Sequence, residues 1–388
     1  MRFKALSLFS SVGIAETYFE KHGIDVVLAN ELLPERAKFH EHLYPKTEMV
    51  KGDITDPKIL KYIIDKSVQY GVDFILATPP CQGMSTAGKM DENDPRNRLI
   101  VETVDIINAI KPKFAIIENV PEQLRTKIFV NGEYVLIPTF LKENLSNYIF
   151  NNNTIVNAMN YGVPQSRERN VFLLTRKDMN IRWEFGQPQK PITLRESIGN
   201  LPSLDPFVSD ISESQLVTLF PDYYNKLNEG RKISKWHYPP AHKLRHVEAM
   251  LHTPEGRSAW DNDIYYPKLK DGSKSKGYKN TYKRQWWDKP AYTVTRYTSR
   301  LGSQENGHPG RMIVDDGTEV GRKWSEPRVF SIYELLVVSS LPTDWNIPEW
   351  ASSNLIRESI GEGVPPKLIE AAISRITDDK EIRKMRIE

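Results

Sequence analysis

The sequence predicts an α/β protein with a doubly wound parallel sheet and a smaller irregular domain. Three observations carry that expectation. Through residue 180, short apolar runs alternate with helical segments, the pattern of strands joined by helical crossovers. The runs end in "LFSSVG", "ANE", "GDI", "ATPPCQG" and "ENV", so glycines, carboxylates and a cysteine collect at the carboxyl ends, where such sheets bind ligands. From about residue 186 the alternation stops, and prolines, glycines, tyrosines, tryptophans and lysines intersperse with short apolar runs up to about 327.

Each element can be read in turn. "ALSLF" is the first strand, and "IAETYFEKHG" reads as a helix closed by glycine. "IDVVLANE" is β-branched and extended, and "LPERAKFHEHLY" is helical. "EMVKGDI", "DFILATP" and "KFAIIENV" are further strands, separated by helices near 57–69 and 98–110. "NTIVNAMNYG" and "RNVFLLTRK" close the series. After the irregular stretch, "RVFSIYELLVVSSLP" and "SIGEGVPPKLIEAAISRI" restore helical periodicity, the latter with a proline-rich start suited to a helix N-terminus. The expected layout is a first domain over 1–185, a second over 186–327, and a segment 328–388 returning to the first.

Composition narrows the class. The 388 residues are 39% hydrophobic and 27% charged, ordinary for a globular chain. One cysteine excludes a disulfide framework and a Cys-rich zinc site, so no metal is expected and a reducing cytoplasm fits. The N-terminal apolar run is too short for a signal peptide, and no stretch is long enough to span a membrane. Net charge is only +3, but Arg231–Arg300 holds 16 Lys and Arg against 6 Asp and Glu, and all eight tryptophans follow residue 180. The second part therefore has a basic, aromatic character that suits nucleic acid.

The candidate site residues lie at the strand ends. "SLFSSVG" holds one glycine, Gly13, and by itself is an ordinary strand-to-helix turn. Asn30 and Glu31 end the next strand, where a carboxylate is placed to hold ribose hydroxyls. Asp53 ends the third and can accept from an adenine amino group. The incomplete glycine fingerprint points to a nucleoside without a pyrophosphate. Cys81 sits behind two prolines and before Gln82-Gly83. A lone cysteine is commonly a small buried hydrophobe, but this one lies in a stiff loop near Lys89, Arg96 and Arg98, and nearby positive charge favours the nucleophilic thiolate. Glu118 ends the adjacent strand and points into the same cleft. Arg167 and Arg169, two apart, share one face if extended, although an Arg-x-Arg pair taken alone is ordinarily solvated surface.

Together these pieces resemble the DNA cytosine-5 methyltransferases over nearly the whole chain. The family's Phe-x-Gly-x-Gly turn corresponds to Phe9-Ser10-Ser11-Val12-Gly13, its ribose acid to Glu31 and its adenine acid to Asp53. Its Pro-Cys-Gln loop is Pro80-Cys81-Gln82, Glu-Asn-Val is Glu118-Asn119-Val120, and Gln-x-Arg-x-Arg is Gln165-Ser166-Arg167-Glu168-Arg169. Its Gly-Asn-x-Val-Pro is similar to Gly361-Glu362-Gly363-Val364-Pro365. "TLRESIGNLP" and "WWDKPAYTVT" are further family-like wording. Two departures stand out: Ser11 replaces a glycine, and Glu362 replaces an Asn placed near the methionine end of S-adenosylmethionine. A carboxylate there can repel the cofactor's own carboxylate, pair with its amino group, or point away.

The resemblance implies a Rossmann-like S-adenosylmethionine-dependent sheet with a target-recognition domain. It implies sequence-specific methylation of cytosine carbon 5 through a covalent adduct between Cys81 and carbon 6 of a flipped-out base. Cys81, Glu118, Arg167 and Arg169 are the implied catalytic residues. The cofactor would be held by Phe9, Ser11, Val12, Gly13, Asn30, Glu31, Asp53, Ile54, Pro79, Leu99, Glu362 and Gly363. Double-stranded DNA would be contacted by Gln82, Ser85, Lys89 and Arg96 from the nucleophile loop and by Gln165. In the recognition region the contacts would be Arg284, Thr293, Arg296, Tyr297 and Arg300, each also open to a phosphate or solvent role. The implied cellular role is the protective partner of a restriction endonuclease acting on the same site, with no physical contact required. An RNA (tRNA) cytosine-5 methyltransferase and a non-catalytic DNA-binding paralogue are the alternatives. The large insert argues against the first, and the presence of the nucleophile, acid and arginines against the second.

Overall fold

Five runs become parallel strands, with β4 and β5 buried throughout and β3 partly exposed at the sheet edge: β1 (Phe3–Leu8), β2 (Ile24–Glu31), β3 (Glu48–Lys51), β4 (Phe74–Ala77) and β5 (Phe114–Asn119). The computed structural model describes residues 2–80, 94–318 and 321–387. Helices α1 (Pro34–Leu43), α2 (Pro57–Tyr70) and α3 (Leu99–Ile110) follow β2, β3 and β4. A hairpin of β6 (Lys127–Val130) and β7 (Glu133–Leu136) leads to α4 (Ile137–Asn144), β8 (Tyr148–Phe150), β9 (Ile155–Asn157) and β10 (Glu168–Arg176). The sheet order is β3-β2-β1-β4-β5-β10-β8, with β9 also on β10. The first five strands are parallel. β10 runs antiparallel to β5, β8 and β9, so the sheet is mixed rather than wholly parallel. Strand order reverses between β1 and β4, which makes that crevice the switch point for a ligand.

Side-chain alternation builds two cores. Phe74, Leu76, Phe114, Ile116, Val171 and Leu173 face one side with Trp183 and the helix α11 (Pro366–Thr377). Ile75, Ala77, Ala115, Ile117, Phe172 and Leu174 face the other, against α2 to α4. Chain ends of helices follow local chemistry: Asp56 accepts from the Lys58 amide before Pro57 at the start of α2, and Gly71, at φ 70°, ends it.

The stretch "IAETYFEKHG" departs from the expected helix. It forms successive tight turns, with Phe19 N bonding Glu16 O at 2.9 Å and His22 N bonding Phe19 O at 2.9 Å. The Thr17 hydroxyl takes the Ile14 carbonyl at 2.7 Å, the local competition that disfavours a regular helix. Gly23 does close the segment, at φ 72°.

The irregular region carries α5 (Leu194–Ile198), α6 (Glu213–Leu219), α7 (Tyr223–Ile233) and α8 (Leu244–Leu251). It also carries the short strand pairs β11 (Phe207–Val208) with β12 (Ala241–His242) and β13 (Met312–Val314) with β14 (Lys323–Trp324). The chain returns through α9 (Ile332–Val338), α10 (Ser353–Glu362), α11 and α12 (Asp379–Lys384). A third core joins Val12, Ile14 and Phe39 of the first domain to Leu194, Trp287 and Val294 and to α9 and α10. Among the described residues, no helix is long and apolar enough to cross a membrane.

Candidate active site

The crevice begins at the turn after β1. Phe9 and Ser11 take left-handed backbone at φ 57° and 50°, and Gly13 at φ 82°. Glycine is required at position 13 twice over, since a Cβ there would lie 2.2 Å from Tyr44 Cε2, whose hydroxyl holds the Gly13 carbonyl at 2.6 Å. Glu31 organises the edge: one carboxylate oxygen accepts from Ser11 N at 2.8 Å and the other from Leu33 N at 2.8 Å. The Asn30 amide is spent on the Val50 and Gly52 carbonyls, at 2.9 and 3.1 Å, so it braces the edge between β2 and β3 and has no donor left for a ligand. Asp53 is exposed, with one oxygen held by the Thr55 amide and hydroxyl at 2.9 and 2.8 Å. Ile54 and Val12 are buried, and half-buried Phe9 and Leu99 pack against the main core.

This edge fits a nucleoside. The Ser11 hydroxyl is buried with no hydrogen-bond partner, and so is one oxygen of Glu102 on α3. Burial pushes the Glu102 carboxyl up, its own backbone amide and Arg98 oppose that, and Asp105 and Asp53 add to it. Unsatisfied polar atoms beside Glu31 and Asp53 are what ribose hydroxyls and an amino group would complete. Ser11 adopts the backbone that a glycine would supply, at the strain of a left-handed non-glycine residue.

Glu362 answers the question raised by its substitution for Asn. Arg36 Nη2 lies 2.6 Å from its Oε2 and Arg296 Nη1 3.4 Å from its Oε1. Two guanidinium groups thus neutralise the carboxylate. Arg36, in the first turn of α1, carries no sequence signal that marks it for the site. Gly363 follows in close contact with Ile14.

The reacting side lies one strand over. The Thr78 hydroxyl bonds Phe9 O at 3.2 Å, and Asn119 Nδ2 bonds Pro79 O at 3.1 Å. Asn119 therefore holds the chain just beyond β4 from the end of β5. Cys81, Gln82, Ser85 and Lys89 lie outside the described residues. Glu118 is buried, and Arg169 Nε lies 2.9 Å from its Oε1. Burial pushes the Glu118 carboxyl above its ordinary range, against the pull of Arg169 and then Arg167.

Arg167 is held by backbone carbonyls from two other segments. Its guanidinium is buried and donates to Val294 O at 2.6 Å and Gly361 O at 2.9 Å. It ties the start of β10, the segment at Val294 and α10 together. Of the Arg-x-Arg pair, Arg169 alone meets Glu118 in an ion pair among the described contacts.

Two expected DNA contacts are corrected. Gln165 is sealed from solvent, accepting from Val294 N at 3.0 Å and donating to Val338 O at 3.3 Å. Arg284 is 0% exposed and donates to His308 O at 2.8 Å and Met250 O at 2.9 Å; burial lowers its pKa to about 9. Both are held by carbonyls remote in sequence, which no local pattern reveals. Thr293 is exposed, with its hydroxyl on Ser166 O at 2.8 Å. Arg296 is half-exposed and lies 5.2 Å from the Tyr297 ring centre. Tyr297 is 50% exposed, and Arg300 is exposed at 5.8 Å from the same ring. Asn306 Nδ2 anchors this loop to Tyr297 O at 2.8 Å and Arg300 O at 3.3 Å. Arg96 is exposed and paired with Asp94 at 2.8 Å through Nε.

Beneath the recognition region lies a buried charge network. Arg328 bonds both oxygens of Glu334, at 2.7 and 2.9 Å, and Glu326 at 2.5 Å. His308 lies 3.4 Å from Glu326 and 3.6 Å from Glu334, and burial lowers its pKa to about 4, so it is neutral at pH 7. His308, Glu326 and Glu334 are close enough to ligate a cation, but Arg328 already supplies the positive charge at that point.

A doubly wound sheet with unsatisfied polar atoms at its switch point and a buried carboxyl–guanidinium pair on the neighbouring strands is the arrangement of a Rossmann-like methyltransferase. The description "C-5 cytosine-specific DNA methylase" matches residues 3–378, and the chain belongs to that family. It is 37% identical over 371 residues to the type II methyltransferase M1.HgaI of Avibacterium volantium, covering 94% of this chain and 95% of that protein. It is 26% identical over 386 residues to M.DdeI of Desulfomicrobium norvegicum, covering 96% and 88%. A putative DNA modification methyltransferase encoded within an Escherichia coli prophage shares the fold, with a TM-score of 0.64 at 19% identity over 99% of both chains. Spodoptera frugiperda DNMT2 shares it with a TM-score of 0.58 at 18% identity, covering 97% of this chain and 99% of that one.

Proposed function

We propose that this methyltransferase acts on one cytosine within a specific sequence of double-stranded DNA, with S-adenosylmethionine as cofactor and Cys81 as covalent catalyst. The observation that carries the reading is the buried Glu118–Arg169 pair, with Glu118 on the strand beside the one that delivers Pro79 and Pro80 and Arg169 one strand further. Carbon 5 of cytosine is a poor nucleophile. Addition of the Cys81 thiolate to carbon 6 breaks the 5,6 double bond and leaves an enamine whose carbon 5 is reactive. A Glu118 carboxyl pushed above its ordinary range is suited to share a proton with N3 and to neutralise the charge that develops there. Arg169 keeps that carboxyl oriented and offers donors toward O2. Bound S-adenosylmethionine supplies the methyl group from its sulfonium. Loss of the carbon 5 proton to a base then lets the thiolate leave. Glu31 and Asp53 hold the nucleoside, through the ribose hydroxyls and the adenine amino group.

The type II names of the relatives support a protective role beside a restriction endonuclease that cuts the same sequence, in the cytoplasm of a prokaryotic cell. Duplex DNA carrying 5-fluorocytosine tests the chemistry, because fluorine at carbon 5 blocks the final proton loss. The wild-type chain should be trapped covalently on duplex DNA and not on tRNA, and Cys81→Ser should not be trapped. Trapping that survives Cys81→Ser would remove the thiol from this role.

A further inference from the structure

The carboxyl-terminal end of α10 touches both the cofactor edge and the recognition segment without slack. A Cβ on Gly363 would lie 2.8 Å from Ile14 Cδ1, beside the turn after β1. A Cβ on Gly361 would lie 2.2 Å from Thr295 O, and Arg167 cross-links Gly361 to Val294 through carbonyls at 2.9 and 2.6 Å. Glu362 stands between the two glycines. Its carboxylate is shared by Arg36, at 2.6 Å from the cofactor side, and by Arg296, at 3.4 Å from the recognition side. Arg36 lies three residues beyond Leu33, whose amide is held by Glu31 at 2.8 Å. Arg296 also reaches Glu358, again at 3.4 Å. Both of its contacts are longer than the 2.7–2.9 Å usual for charge-assisted hydrogen bonds, so its hold on the carboxylates is loose.

We propose that Glu362 is a positioning residue that couples occupancy of the cofactor edge to engagement of DNA by Arg296. The proposal rests on the cofactor and DNA assignments of the preceding subsection. A phosphate or guanine edge that takes Arg296 withdraws it from Glu362 and leaves the carboxylate with Arg36 alone. The amino-acid end of S-adenosylmethionine carries an ammonium, which suits the vacated oxygen, and a carboxylate, which suits Arg36. Each ligand thereby removes a competitor of the other, and thermodynamic linkage makes the effect reciprocal and positive.

The test measures affinity for a duplex carrying the methylated site, located beforehand by bisulfite sequencing of DNA from cells expressing the chain. Binding is compared alone, with S-adenosylhomocysteine, and with 5′-methylthioadenosine, which lacks the amino-acid end. S-adenosylhomocysteine should tighten wild-type duplex binding about five-fold or more, and 5′-methylthioadenosine should not. Glu362→Gln should abolish the coupling while each ligand still binds separately, and Glu362→Asp should restore part of it. If Glu362→Gln does not fold, Arg296→Gln should also abolish the coupling, with weaker duplex binding and with S-adenosylhomocysteine bound more tightly than by the free wild type, because its competitor for Glu362 is gone. Wild-type coupling in either variant overturns the proposal, as does equal coupling by 5′-methylthioadenosine. Failure of the wild type to bind either nucleoside overturns the cofactor assignment itself, and the coupling with it.

Discussion

Arg169 Nε lies 2.9 Å from Glu118 Oε1 in a pocket that solvent scarcely enters. Two effects act on that carboxyl in opposite directions. Burial penalises its charged form, while Arg169 and Arg167 favour it, and burial wins. The guanidinium fixes the acid's orientation. A carboxyl pushed above its ordinary range on the strand next to β4 suits the proton donation proposed for activation of a cytosine ring.

Glu118→Gln preserves the shape and removes the transferable proton. Methyl transfer to duplex DNA should fall by about 10²-fold or more, with duplex affinity largely kept. The sign of the pH dependence follows from the raised pKa. The protonated fraction falls as pH rises through that value, so the wild-type rate should decline on the alkaline side. The Gln variant should lack that limb. A Gln variant with the wild-type rate and profile would remove Glu118 from proton transfer.

Arg167 and Arg169 should separate cleanly. Arg167→Lys cannot span the carbonyls of Val294 and Gly361 that the guanidinium bridges at 2.6 and 2.9 Å. It should cost about 1.5–3 kcal/mol of stability, the scale of one hydrogen bond involving a charged group. Arg169→Lys keeps a charge near Glu118 but loses the planar fork, so it should slow methyl transfer with little change in stability. Urea unfolding and single-turnover rates on both variants check this, and a reversal of the two effects would contradict the assignment.

The strands of the first domain were legible because β4 and β5 are buried on both faces and read as continuous apolar runs. Strand direction was not legible: nothing in "RNVFLLTRK" marks β10 as antiparallel, since direction depends on how the chain returns. "IAETYFEKHG" misled because its apolar spacing is helical, while the Thr17 hydroxyl bonds locally. The strand-end residues Glu31, Asp53 and Glu118 were singled out by position, and the structure sets Glu31 against the turn after β1 and Glu118 against Arg169. Arg284 and Gln165 were misassigned because burial of a polar side chain is decided by carbonyls far along the chain. The Arg36–Glu362 pair joins α1 to α10, and neither residue stands out locally.

The buried network under the recognition region should make stability depend on acid. Burial pushes the Glu334 carboxyl up, but Arg328 at 2.7 and 2.9 Å overcomes this and holds it well below its ordinary range. A lowered folded pKa means that the unfolded chain binds the proton first. The stabilisation is therefore present above the unfolded carboxylate range, about 4.3, and is lost as pH falls through the folded value. Urea unfolding of the wild type should show a steep loss of stability below about pH 5. Glu334→Gln should start lower at neutral pH and fall less steeply. Parallel curves would place the acid sensitivity elsewhere.

Sequence reading should be carried by the exposed loop and not by the buried arginine. Tyr297 is 50% exposed and Arg300 is exposed, and Asn306 fixes both backbone carbonyls of that loop. Arg284 spends its guanidinium on the carbonyls of Met250, at 2.9 Å, and His308, at 2.8 Å. Arg300→Ala should therefore alter which sites are methylated, by about 1–3 kcal/mol at one base position if the contact is a bidentate guanine pair. A phosphate contact instead predicts uniformly weaker binding and a shallower salt dependence. Arg284→Met should lower stability and leave site preference unchanged in whatever fraction folds. The measurement is a panel of duplexes with single-base changes in the site, assayed for methylation rate at two salt concentrations. If Arg300→Ala leaves both preference and salt slope untouched, the loop from Arg296 to Arg300 lies outside the DNA interface. If Arg284→Met shifts preference at one base, the buried guanidinium must leave its carbonyls when DNA binds.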